Sequence, residues 1–172
     1  HYIESAARVG GPSVTGQIMR WVPGARCYTQ YQSWASRQWQ YAGSVFDDFA
    51  VEVAEPRPIS SIVVTLGVNE SYGFPRLVRA LVGSIPPDVQ VLWQVSEGDA
   101  HLLPAGSNVE HSLPAHELYS AMARADLVVC HAGCGSALTA LEAGHRPVLV
   151  PRQAQHGEHV DDHQKEIAEE LE

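Results

Sequence analysis

Over the last two thirds of the chain the apolar residues fall in short continuous runs separated by amphipathic stretches. The runs at 62–66, 89–95, 108–112, 127–130 and 148–150 are the strands this pattern predicts. They lack the alternation of a half-exposed sheet, as expected of parallel strands covered on both faces. Between them, apolar positions recur at helical spacing. Leu77, Val78, Leu81 and Val82 mark a helix over 74–84, and Pro114 opens one over 114–124. A helix over 137–143 is closed by Gly144 and Pro147, and 157–171 carries Val160, Ile167, Ala168 and Leu171 on a final helix. The polar 96–107 reads as a loop. Strand and helix alternate five times, which predicts an α/β fold: a Rossmann-like parallel sheet with helices on both faces, occupying 61–172. In the usual order the first strand neighbours the fourth, so the loops after 66 and 130 flank one crevice.

Residues 1–50 are patterned differently. Residues 2–9 read as a strand end, Ser13 as the cap of a helix over 14–22, and 25–31 as a strand. Trp34, Trp39, Tyr41 and Phe46 form a dense aromatic group, fit either for internal packing or for an interface with another domain. Residues 51–60, with Pro56 and Pro58, read as a linker.

Candidate chemistry concentrates in 126–151, DLVVCHAGCGSALTALEAGHRPVLVP. A buried strand enters a glycine turn, and the turn enters a helix. Gly133 and Gly135 permit unusual backbone angles and close approach by a ligand, and Ser136 is placed to cap the helix. Free N–H groups and the positive end of a helix dipole make such a turn an anion site. Glu142 lies seven residues beyond Gly135, on the same helix face about 10 Å along the axis. That spacing suits a ligand with phosphate at one end and a diol at the other. The turn is neither the dinucleotide fingerprint nor a P-loop.

Composition narrows the field. Of 172 residues, 45% are hydrophobic and 18% charged, an ordinary globular balance. A net charge of −9 argues against a nucleic-acid partner and requires a bound phosphate to be held by local dipoles. Three scattered cysteines, Cys27, Cys130 and Cys134, point to a reducing compartment and no disulfide framework. No apolar run approaches membrane-spanning length. The chain opens at His1 in mid-pattern, as an excised fragment would.

Three stretches carry a resemblance: VVTLG at 63–67, NVEHSLPAHELYSAMARADLVVCHAGCGSALTALEAGHRPVLVP at 108–151 and GEHVDDHQKEIAEEL at 157–171. Together they resemble the C-terminal, donor-binding domain of family 28 glycosyltransferases, GT-B enzymes. Within that family they look most like the donor-binding subunit of the two-subunit eukaryotic transferase that adds the second GlcNAc to dolichol-pyrophosphate-GlcNAc, and like its bacterial exopolysaccharide counterparts. YIESAARVGGPSVTGQIMRW at 2–21 and YTQYQSW at 28–34 look like the end of the partner, acceptor and membrane half. The resemblance implies a UDP-sugar donor, UDP-GlcNAc in the first place, and inverting transfer without a metal to a lipid-linked sugar acceptor. It also implies an N-terminal acceptor half or membrane-anchored partner, and a place in the cytoplasm at the cytoplasmic face of the membrane. Residue by residue it implies diphosphate contacts at Gly133, Gly135 and Ser136 and a ribose contact at Glu142. It implies uracil recognition by the backbone around Leu113. His131, Gly67 and Asn69 would border the diphosphate and sugar, and His159, Asp162, His163 and Gln164 would contact the donor sugar. The general base is expected on the other half.

Three further readings stay open. One is a GT-B sugar-nucleotide epimerase, which leaves residues 2–34 unexplained. A second is a nucleotide-sugar binding module without activity of its own. A third is a metal held by His156, His159 and His163, which share a face if the segment is helical; polar donor contacts or a solvated face are the favoured account, so no metal is expected.

Overall fold

A computed structural model describes residues 1–50, 52, 55–67 and 72–172. Asn69 lies outside the described residues.

The described residues build two parallel sheets. The first is small: β1 (Tyr2–Ile3), β2 (Cys27–Thr29) and β3 (Trp39–Tyr41), in the order β1-β2-β3. Helix α1 (Val14–Met19) joins β1 to β2 and is capped by Ser13 Oγ, which accepts from Gly16 N–H at 3.0 Å. Gly16 is required by space: a Cβ there would stand 2.2 Å from Glu4 Oε2. The aromatic group packs on itself. Trp39 is buried, Trp34 meets it edge-on at 5.2 Å, and Trp34 Nε1 donates to Arg8 C=O. The interface reading of Trp39 and Phe46 is therefore corrected, since both are core. Exposed apolar residues cluster on α1 and just after it, at Val14, Ile18, Trp21 and Val22, and Ile3, Tyr41 and Val45 are exposed as well.

The second sheet carries the expected α/β fold. Its strands are β4 (Ser61–Thr65), β5 (Gln90–Gln94), β6 (Asn108–Glu110), β7 (Leu127–His131) and β8 (Val148–Val150). All pairings are parallel, in the order β6-β5-β4-β7-β8. The first strand does lie beside the fourth, with Val64 level with Val129. Ile62, Val64 and Val129 pack on one face against Phe74, Leu77 and Val78 around α2 (Pro75–Ser84). Val63 and Val128 pack on the other, against Met122 of α4 (Ala115–Arg124) and Ala140 of α5 (Cys134–Glu142). That two-sided burial is why the strands read as continuous apolar runs.

Besides shorter ends at α1, β2 and β6, three departures from the sequence pattern bear on the site. Within 96–107 a short helix α3 (Glu97–Ala100) forms because buried Asp99 accepts from Phe74 N–H at 2.6 Å and from Ser96 Oγ at 3.1 Å. Helix α5 starts at Cys134, three residues early, with Gly133 as its cap; Ser136 lies inside the first turn and caps nothing. The final helix, α6 (His163–Glu170), starts six residues late. Before it, a single 3-10 turn at Ala154–His156 ends at Gly157, whose φ of 67° breaks any helix, and Glu158 turns inward.

Residues 55–60 are exposed and irregular. Where they enter β4, Asp126 accepts from the N–H and the hydroxyl of both Ser60 and Ser61 at 2.7–2.9 Å. These four bonds, the Ser60 hydroxyl foremost, hold the Asp126 carboxyl well below the usual carboxylate range.

Candidate functional site

The crevice lies at the C-terminal ends of β4 and β7, where strand order reverses. Its floor is the turn after β7. Ala137 N–H makes the first helical bond, to Gly133 C=O at 3.0 Å, so the N–H groups of Cys134, Gly135 and Ser136 stand ahead of the ladder. They are donors available to an anion, at the positive end of a nine-residue helix. Gly135 is exposed, and a Cβ built on it would meet nothing within 4 Å.

Neither glycine of this turn has a positive φ, so unusual backbone angles are not what they supply. Gly133 supplies space: a Cβ there would stand 2.5 Å from His131 Nε2. Across the ring, Gly67, with φ of 75°, would place a Cβ 3.1 Å from His131 Cε1. The two glycines thus enclose the imidazole. Burial, reinforced by the Arg152 charge, lowers the His131 pKa to about 4, so the ring is neutral at pH 7. Cys130 and Cys134 are protonated, pushed up by burial to about 12 and about 11. Cys130 is a small buried core residue, as its sequence context implied.

The wall is organised by a residue the sequence reading did not single out. Arg152 follows β8 and is buried. It donates through Nη2 to Leu66 C=O at 2.7 Å, and through Nη1 to Tyr72 C=O at 2.5 Å and Glu158 C=O at 3.3 Å. It therefore ties together both borders of the loop after β4 and the segment leading to α6. Its Nε has no partner among the described residues. Beside it, buried Glu158 takes a two-pronged ion pair from Arg76 Nε and Nη2, both at 2.9 Å. Burial alone would raise the Glu158 carboxyl, but the Arg76 fork and the Gln153 N–H outweigh it and hold it low.

The other expected residues divide into those at the crevice and those away from it. His159 stacks on Tyr72 at 5.9 Å and meets His163 edge-on at 4.8 Å, on the rim that Arg152 supports. Gln164 is buried, its Oε1 accepting from Arg152 N–H at 3.0 Å, and Asp162 accepts from Ala154 N–H. Leu113 follows β6 on the same edge of the sheet, three strands from β7 and hence about 14 Å across. Glu142 is exposed at the last turn of α5. Glu142 lies about 10 Å along α5 from Gly135, on the same helix face. Thr139, one turn after Gly135 on that face, is nearer; its Oγ1 donates to Gly135 C=O at 2.9 Å. His156 is exposed and stands apart from the other two histidines, because the segment is not a helix. Asp161 takes its place between them.

A cavity of about 750 Å³ beneath β5 and β6 opens at the N-terminal ends of the strands, remote from this chemistry. No helix among the described residues is long and apolar enough to cross a membrane.

A doubly wound parallel sheet with a helix N-terminus at its switch point defines a Rossmann-like class of α/β domain. The family model for the glycosyltransferase family 28 C-terminal domain matches residues 62–172, and the chain belongs to that family. The UDP-N-acetylglucosamine transferase subunit ALG13 of Yarrowia lipolytica is 49% identical over 55 residues, 32% of this chain and 26% of that protein. Among solved structures, the glycosyltransferase SnogD from Streptomyces nogalater aligns over 80% of this chain and 35% of its own, at 27% identity and a TM-score of 0.43. The glycosyltransferase of kitacinnamycin aligns over 78% and 34%, at 20% identity and 0.45. The chain thus spans about a quarter to a third of the length of these relatives.

Proposed function

We propose that residues 61–172 are the donor half of a glycosyltransferase. The donor is a UDP-sugar, UDP-GlcNAc in the first place. The sugar passes with inversion, and without a metal, to a lipid-linked sugar acceptor in polysaccharide or glycolipid synthesis at the cytoplasmic face of the membrane. The observation that carries this reading is the N-terminus of α5 at the switch point, with three N–H groups ahead of the first helical bond and open space over Gly135. On a chain of net charge −9, such a dipole is what can hold a diphosphate. The family membership and the relative's name as a UDP-N-acetylglucosamine transferase subunit support the donor. The diphosphate rests on the N–H groups of Cys134, Gly135 and Ser136, with Gly133, whose own N–H bonds to His131 C=O at 2.8 Å, beside it; uracil reaches the backbone near Leu113, and the sugar faces Gly67, His131, His159, Asp162, His163 and Gln164. The ribose diol falls to Glu142.

Transfer also needs an acceptor hydroxyl and a base to take its proton. His131, at about 4, is a weak base at neutral pH. The acceptor site and the base therefore belong to an N-terminal acceptor half or a membrane-anchored partner. The test is calorimetry with UDP, with and without EDTA, and with UDP-GlcNAc in the metal-free chain, followed by transfer to a polyprenyl-pyrophosphate-sugar analogue. UDP binding unaltered by EDTA, negligible transfer by residues 1–172, and transfer restored by an added acceptor half are the expected results. Full turnover by the chain alone would place the base among His131, His156, His159 and His163 and refute the division of labour. UDP release without acceptor would favour an epimerase.

A further inference from the structure

The loop from His159 to His163 places three metal-type donors at one point. His159 Nδ1 lies 3.2 Å from Asp161 Oδ1, and His163 Nδ1 meets the same oxygen. The ligating atoms of all three residues fall within 4.8 Å of one another. His159 Nδ1 also faces the Asp161 N–H at 3.4 Å, a contact in which it acts as acceptor. His159 Nδ1 thus presents an acceptor nitrogen 3.2 Å from a carboxylate oxygen, two donor atoms that a bound cation would hold together. Neighbouring contacts fix the donors in place. His159 is stacked on Tyr72, His163 is held in the first turn of α6, and Arg8 approaches the second carboxylate oxygen of Asp161 at 3.7 Å. The side chains of His159 and His163 are about four-fifths buried, at 18% and 20% exposure, while Asp161 is open to solvent at 41%. Two imidazoles and one carboxylate, with an open side for water, are a ligand set for zinc and similar borderline ions rather than for magnesium or calcium. The chain's thiols do not compete, since Cys27 and Cys130 are buried and Cys134 is protonated.

We propose that His159, Asp161 and His163 bind one zinc-class divalent ion, and that the bound ion competes with the donor sugar. The second clause rests on the donor reading above, which gives His159 and His163 to the sugar. An ion drawing both imidazoles onto itself withdraws them from a sugar hydroxyl. The ion inhibits; it does not bridge the diphosphate, which α5 holds elsewhere.

The experiment is titration of the EDTA-stripped 172-residue chain with Zn²⁺ by calorimetry and with Co²⁺ by visible absorption. One ion per chain is expected, with the intense d–d bands of a four-coordinate Co²⁺ site. The isosteric Asp161→Asn, and separately His163→Gln, should each weaken binding at least tenfold. Zinc should then weaken UDP-GlcNAc binding about tenfold and leave UDP unchanged. Equal ion affinity in both variants, or only several weak sites per chain, overturns the site. An unchanged UDP-GlcNAc affinity in saturating zinc overturns the competition. Failure of UDP to bind the metal-free chain would strike the donor reading alone and leave the ion titration standing.

Discussion

The two glycines of the turn after β7 should respond in opposite ways to a single methyl group. At Gly133 a Cβ would lie 2.5 Å from His131 Nε2. Ordinary contact begins near 3.4 Å, so the ring would have to retreat by 3.4 − 2.5, about 0.9 Å. Behind it stands Gly67, so close that a methyl there would already touch the ring at 3.1 Å. Overpacking of this kind costs about 1–3 kcal/mol. Exchanging Gly for Ala at a helix cap adds about 1 kcal/mol. Gly133→Ala should therefore lose about 2–4 kcal/mol, read in urea or heat as a fall in Tm of about 5–15 °C for a chain of this length. The clash term belongs to one partner. In a His131→Ala background Gly133→Ala should cost only the cap term, a coupling of about 1–3 kcal/mol in the double-mutant cycle. At Gly135 a Cβ meets nothing, and alanine is the better helix former by about 1 kcal/mol. Gly135→Ala should leave stability unchanged or raised, yet weaken UDP by crowding the N–H groups. Additive costs at Gly133 and His131, or a loss of stability at Gly135, would refute the reasoning.

Glu142→Ala should weaken UDP by about 1–3 kcal/mol in calorimetry, the cost of leaving hydrogen bonds to a charged group unmade. Unchanged affinity, with the loss appearing at Thr139→Val, would move the ribose one turn nearer the phosphates. Arg152→Met should cost about 3 kcal/mol or more in urea unfolding, because the carbonyls of Leu66, Tyr72 and Glu158 lose their shared donor; a neutral result would show that water replaces it. His131 has a folded pKa of about 4 against 6.5 for the free group, so the unfolded chain takes up a proton that the folded chain refuses. Its share of stability is full above about pH 6.5 and is lost as pH falls toward 4, about 2 kcal/mol of it between pH 7.5 and 5. Unfolding curves for the parent and His131→Gln should differ in slope by that amount, and parallel curves would refute the buried neutral ring.

The sheet was legible because its strands are buried on both faces, which writes unbroken apolar runs into 62–66 and 127–130 and leaves little ambiguity of order. The strand, glycine turn and helix of 127–142 were legible because glycines between a buried strand and a helical pattern mark a sharp turn. What failed was whatever depended on contacts between distant residues. Ser136 has the chemistry of a cap, but the position was taken by Gly133 because His131 must lie against it. The histidines at 156, 159 and 163 have helical spacing, yet Glu158 is drawn inward by Arg76, eighty-two positions earlier, and the helix is delayed. Arg152 looks like a surface residue after a strand, and its three carbonyl partners lie up to eighty-six positions away. The aromatic group could be an interface or a core by composition alone. Gly16 and Glu4 decide for a core by drawing α1 close over Trp39.

The guanidinium of Arg152 has a mechanical consequence. Leu66, Tyr72 and Glu158 hang from a single rigid plane, so the three edges of the crevice share one pivot. None can yield to a bulkier guest without tilting the fork and disturbing the other two. Selectivity at such a rim is a threshold property. Guests that fit within the resting outline are admitted at no elastic cost, and the first atom beyond it must move all three edges together.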